Sequence, residues 1–132
     1  MSDDGNNYTS ITRRYHFEAA HFLPKVADTH KCKRMHGHNY KLEITIGGNL
    51  VCGTGFVIDF WELDNIVKPL LDLVDHRVLN DVPGLDNPTA ELIAAWFLLE
   101  LRRLLDALET DDSLDLLNVR IYETDDCWAD IS

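Results

Sequence analysis

At 132 residues, with 45% hydrophobic and 27% charged composition, the chain is sized and balanced for one globular domain with its own core. It contains no apolar run near the roughly 20 residues a membrane span requires, and its net charge of −11 argues against general nucleic-acid binding, which needs a basic footprint. Cys32, Cys52 and Cys127 are an odd number without framework spacing and read as free thiols. With an acidic, polar start in place of a secretory signal, a cytoplasmic location is expected. Residues 1–10 read as a mobile arm and 11–132 as a single domain.

Ile11 to Phe22 is rich in β-branched and aromatic residues and predicts a strand; Asn39 to Ile46 alternates polar and apolar with period two and predicts another, ended by Gly47-Gly48. Between them Pro24 to Met35, rich in charge and histidine, reads as a functional loop. Gly53 to Phe60 reads as a turn and a short extended piece. Asp59 then suits the N-cap of a helix running to about Val74, with Glu62 placed as in a capping box and Pro69 bending or shortening it. For a second helix Asn87 suits the cap, Pro88 the first position and Glu91 the first turn. Its body, Leu92 to Leu108, is apolar on more than one face, which calls for cover on two sides, such as the sheet and another subunit. Leu117 to Tyr122 and Trp128 to Ile131 complete a hairpin. The order β-β-α-α-β-β predicts an α+β domain, with two helices on one face of a four-stranded antiparallel sheet.

His36-Gly37-His38 opens the second strand, and residues two apart project to one face about 6–7 Å apart. His21 ends the first strand and reaches the same face if the two pair. Three neutral imidazoles with a fourth position open make a catalytic zinc site, and Gly37 would let metal or substrate approach the backbone. Three clustered surface histidines are the bland alternative. His16 falls on the opposite side of a regular strand, and His30 is left unassigned.

Residues 1–41 hold seven of the twelve Lys and Arg against four of the 23 acids, so positive charge gathers there. Solvation of Lys31, Lys33 and Arg34 is the simple reading, and reception of a small anion the functional one. Neighbouring positive charge stabilises a thiolate, so Cys32 reads as a base or nucleophile; its alternative role is a fourth, site-closing zinc ligand. Asp75-His76 supplies an acid and an imidazole for proton transfer, or a helix cap. Glu123 ends an apolar strand, where it either binds a guanidine-like edge or is solvated.

Phe17-Glu-Ala-Ala-His21, Cys32-x-x-x-His36-Gly-His38-Asn39, Val57-Ile-Asp59-Phe, Leu73-Val-Asp75-His76, Leu79-Asn-Asp-Val-Pro-Gly-Leu, Asn87-Pro-Thr-Ala-Glu91 and Glu123-Thr124 together resemble the 6-pyruvoyltetrahydropterin synthase family over Arg14 to Ile131. The three residues between Cys32 and His36 resemble its carboxytetrahydropterin branch, of the queuosine pathway; the hairpin Glu123-Thr-Asp-Asp-Cys-Trp departs from that branch. The resemblance implies the tunnelling fold, a hexamer built from two trimers, and active sites shared between subunits. It implies Zn2+ on His21, His36 and His38, Cys32 as proton-abstracting base, and Asp75 with His76 as a relay. Glu123 would anchor the pterin, with Thr89 and Thr124 as lesser contacts. The implied substrate is 7,8-dihydroneopterin triphosphate, which loses triphosphate and, in the carboxy branch, acetaldehyde; Lys31, Lys33 or Arg34 would receive the triphosphate. Two alternatives stand beside this: the pyruvoyl reaction, and a noncatalytic zinc-stabilised pterin-binding module.

Overall fold

Period-two alternation carries both N-terminal segments into long strands. β1 (Tyr8–His21) and β2 (His36–Asn49) pair antiparallel from Tyr8↔Asn49 to His21↔His36, in a computed structural model that describes residues 7–108 and 114–132. Tyr15, Phe17, Ala19 and His21 of β1, with Tyr40, Leu42, Ile44 and Ile46 of β2, turn to one face and are buried. The other face is polar, carrying Arg14, His16, Glu18, Lys41, Glu43 and Thr45.

Two helices cover the apolar face. In α1 (Phe60–Val74) the Asp59 carboxylate accepts the Trp61 N–H at 3.1 Å, the expected cap, and Leu63, Val67, Leu70 and Val74 are buried at helical spacing. Pro69 does not end the helix: it is exposed, and buried Val67 and Leu70 on either side hold that turn against the core. α2 (Ala90–Asp106) begins later than expected. Thr89, not Asn87, is its cap, accepting the Leu92 N–H at 3.1 Å, and Pro88 stays outside because its carbonyl turns away to His21. Ile93, Ala94, Phe97, Leu98, Leu101 and Leu105 form its buried stripe. Leu92 and Leu99 stay exposed on the other side, where they, Ala95 and Trp96 face the 83–87 loop across a groove of about 440 Å³.

β3 (Arg77–Val78), β4 (Asp115–Thr124) and β5 (Cys127–Ile131) complete a sheet of order β3-β1-β2-β4-β5. The sheet therefore has five strands and is mixed, not four and antiparallel, because β3 runs parallel to β1 through Ala19↔Arg77 and Ala20↔Val78. Two residues are too few to leave a periodic signal. β2 also runs through Gly47-Gly48 instead of stopping there. A Cβ on Gly47 would collide with the Tyr8 hydroxyl and lie 2.7 Å from Leu117, so that glycine serves close packing within the sheet. Gly53 and Gly55, with φ of 99° and 76°, make the turn before α1, and no strand forms there. Tyr8–Ser10 pair with Gly47–Asn49 and belong to β1, whereas residues 1–6 of the expected arm lie outside the described residues. Among the described residues no helix is long and apolar enough to cross a membrane.

Candidate metal centre

The β1–β2 register decides where the histidines go. His21 and His36 are direct cross-strand partners and His38 follows two residues on, so all three turn to the helix-covered face, and their candidate ligand atoms lie within 4.8 Å of one another. Under them, Phe17 stacks on Tyr40 at 4.9 Å, and the Tyr40 ring stands edge-on to His21 and His38. His21 is buried; His36 and His38 are half-buried.

Hydrogen bonding settles which nitrogens of His21 and His36 remain for a ligand. A carbonyl oxygen only accepts, so His21 Nδ1–H donates to Pro88 O at 2.8 Å and His36 Nδ1–H donates to Arg34 O at 2.7 Å. In the neutral rings both Nε2 atoms then carry lone pairs. These two atoms are 2.9 Å apart, a spacing that two lone pairs cannot hold unaided. His38 Nε2 is buried with no hydrogen-bond partner, its nearest charge being Glu123 Oε1 at 3.8 Å. Burial lowers the proton affinity of His21 and His38 and keeps them in the neutral, metal-binding form. Two inward lone pairs, on His21 and His36, with the unpartnered His38 Nε2 beside them fit a divalent ion such as zinc, and the backbone bonds at Nδ1 of His21 and His36 supply the outer support such ligands need.

Among the described residues the convergent set is these three histidines. Cys32 is not in it, so the closed four-ligand alternative does not form. His16 lies exposed on the open face, opposite His21. Gly37 is not needed for access: a Cβ there would lie on the other face of the strand, 3.5 Å from Ala19 O, an ordinary contact.

Cys32 sits half-buried in a one-turn 3₁₀ helix, Lys31–Lys33. His30 caps that turn, its Nδ1 accepting the Cys32 N–H at 3.0 Å, while Cys32 O accepts the Leu23 N–H at 2.8 Å. The thiol-bearing turn is thereby tied to the chain two residues past His21. Lys33 donates to Pro24 O and Val26 O and pairs with Asp28; Lys31 and Arg34 are exposed.

Asp75 and His76 meet as a pair at the end of α1, His76 Nδ1 lying 3.0 Å from Asp75 Oδ1. The Glu18 N–H donates to the same carboxylate at 3.0 Å, the main reason its pKa lies below the usual value. Glu123 faces the histidines from β4 and also lines an open cleft of about 460 Å³ with Ala90, Glu91, Cys127, Trp128 and Asp130. Thr124 Oγ1 accepts the Asp126 N–H in the following turn, and Thr89 is occupied as the α2 cap.

This arrangement sits within a match of residues 10–132 to the family described as 6-pyruvoyl tetrahydropterin synthase. The chain belongs to that family. Among family relatives, it is 36% identical to a protein of Archaeoglobus fulgidus named putative 6-carboxy-5,6,7,8-tetrahydropterin synthase, over 87% of this chain and 88% of that one. It is 38% identical to the 6-carboxy-5,6,7,8-tetrahydropterin synthase of Synechocystis sp., over 69% and 73%. A third relative, 36% identical over 70% and 75%, is the dihydroneopterin monophosphate aldolase of Pyrococcus furiosus. In structure the chain resembles the 6-pyruvoyl tetrahydropterin synthase of Caenorhabditis elegans, with a TM-score of 0.77, 26% identity and 94% of each chain covered.

Three features of this family member escaped the residue-by-residue reading. Asn80 grips the backbone of Phe22 from both sides, its Oδ1 accepting the N–H at 3.1 Å and its Nδ2 donating to the carbonyl at 2.8 Å, which fixes the chain directly after His21. Pro88 acts through its carbonyl, and a backbone acceptor leaves no side-chain signature. His30 is a turn cap, signalled only by its place two residues before Cys32.

Proposed function

We propose that the chain is a zinc-dependent lyase of the 6-carboxy-5,6,7,8-tetrahydropterin synthase type. With one water consumed, it converts 7,8-dihydroneopterin triphosphate to 6-carboxy-5,6,7,8-tetrahydropterin, releasing triphosphate and acetaldehyde, in 7-deazaguanine (queuosine) biosynthesis. The observation that carries this reading is the convergence of the His21, His36 and His38 imidazoles, two of them with Nε2 freed by backbone bonds at Nδ1, with Glu123 beside them and an open cleft beyond. Relatives bearing that name at 36% and 38% identity support the reaction type.

Zinc held by the three histidines supplies Lewis acidity toward the oxygens of the substrate side chain. Glu123 binds the guanidine-like edge of the pterin through a pair of hydrogen bonds, with Thr89 and Thr124 as lesser contacts. Cys32 takes the proton from the substrate side chain, and Asp75 orients His76 to return or accept it. Lys31, Lys33 and Arg34 receive the triphosphate. The exposed apolar residues Leu92 and Leu99 of α2 support assembly into a homo-oligomer, a hexamer with shared sites in this reading.

Incubation of the zinc-loaded protein with 7,8-dihydroneopterin triphosphate, followed by mass analysis, tests the reaction. The carboxy product with acetaldehyde and triphosphate is expected, and unchanged substrate or a pyruvoyl product would overturn it. Cys32→Ala should keep stoichiometric zinc and lose turnover, whereas a noncatalytic module would lose metal or show no effect. The Pyrococcus relative favours a second reading, retro-aldol cleavage of the monophosphate; release of a phosphorylated two-carbon aldehyde from dihydroneopterin monophosphate would select it.

A further inference from the structure

Glu18 belongs to the Phe17–His21 run, yet it neither packs in the core nor faces the three histidines; it lies on the open face of β1. Its atoms nevertheless make three contacts with the Asp75-His76 pair. The backbone N–H of Glu18 donates to Asp75 Oδ1 at 3.0 Å, its carbonyl accepts the His76 N–H at 2.6 Å, and its carboxylate oxygen lies 3.5 Å from His76 Nε2. With Asp75 Oδ1 3.0 Å from Nδ1, the imidazole has a carboxylate at each end. Among the described residues these two are the acids within ion-pair reach of the ring.

His76 has φ of 57°, the left-handed region, and is the only non-glycine residue there among those described. A residue at the end of a helix in that conformation is usually glycine, which stops the helix without steric cost. A helix stop alone thus explains the backbone but not the side chain. What the backbone turn accomplishes is to carry an imidazole between two carboxylates that come from different elements.

We propose that Glu18 is a positioning residue for His76, holding the Nε2 end of the ring while Asp75 holds Nδ1. A carboxylate at each end fixes the ring between two elements, so Glu18 acts on the orientation of the imidazole. The functional half of this proposal rests on the reading above that Asp75 and His76 relay a proton; the structural half stands without it. His76 and Glu18 are largely exposed, 74% and 62% by side chain, and an exposed pair has little weight in stability, so the ring itself must be observed.

The experiment uses the full zinc-loaded chain with Glu18→Ala and Glu18→Gln, at one pH. Long-range proton–nitrogen NMR reads both His76 ring nitrogens, assigned by the loss of signals in His76→Asn, and steady-state kinetics are taken on the same samples. In Glu18→Ala the His76 ring signals should shift from their wild-type positions, and kcat should fall about tenfold with KM within about twofold, the smaller end of what a misplaced reacting group costs. Glu18→Gln, which keeps an oxygen acceptor without the charge, should fall between. A Glu18→Ala protein with wild-type ring signals and wild-type kcat overturns the proposal, and so does one that has lost its zinc. If the wild type turns over no pterin substrate, the proposed function fails and the ring signals alone decide whether Glu18 holds His76.

Discussion

The open face of the sheet and the histidine end of its helix-covered face handle polar groups in opposite ways. On the open face every prominent cation has an acid: Arg14 pairs with Glu43, Lys41 with Asp125, and Arg120 Nε with Asp130 at 2.7 Å, while the same three cations surround the Tyr122 ring. On the helix-covered face His38 Nε2 is buried without a partner, and the Nε2 atoms of His21 and His36 confront each other. Buried polar atoms are almost always satisfied, because leaving one open costs about 1–3 kcal/mol. Exposed ion pairs complete their own electrostatics and ask for nothing further. Unmet demand, more than charge density, separates the histidine end of this sheet from its solvated side.

His38→Ala is the strongest test of that contrast. It should abolish stoichiometric zinc and lower turnover by more than the roughly 10–100-fold that loss of an outer-shell partner costs, as read by metal analysis and kinetics. Stoichiometric zinc in the variant would break the comparison.

The pH response should be more moderate. Burial sets the folded pKa values of His21 and His38 below the usual 6.5, so the unfolded chain takes up protons that the folded chain refuses. Stability of the metal-free protein should be complete above about pH 6.5 and be lost as pH falls toward the depressed folded values, and zinc should be released more readily over the same range. Thermal unfolding of chelated protein on both sides of that pH measures it; no difference attributable to the two imidazoles, judged against His38→Phe, would count against their buried neutral state.

Arg120→Met should produce the smallest change. Its pair with Asp130 is substantially exposed, with side chains 31% and 41% accessible, so unfolding stability should shift by no more than about 1 kcal/mol and zinc content should be unaltered. A loss of metal in this variant would mean that the two faces are coupled.

Much of the fold was readable because it depends on local rules. Alternation over Asn39 to Ile46 specifies a strand, Asp59 stops the backbone where its carboxylate can cap, and His36-Gly37-His38 on a strand puts two imidazoles on one side. The misses have a common origin in contacts between distant segments. β3 exists only because His76 turns the chain beside Ala19, and Thr89 displaces Asn87 as cap because His21, 67 residues from Pro88, draws that carbonyl away. Gly37 does not open the site, because its missing side chain belongs to the opposite face, and only the strand's register shows that.

Residue chemistry and period therefore determined, by themselves, the helices, the long strands and the three imidazoles as a candidate set, since each follows from neighbours within a few positions. Only tertiary structure decided the direction of the His21 and His36 lone pairs, the two-residue parallel strand and the bracketing of His76 by Glu18 and Asp75. Those depend on hydrogen bonds whose partners are brought together by packing alone.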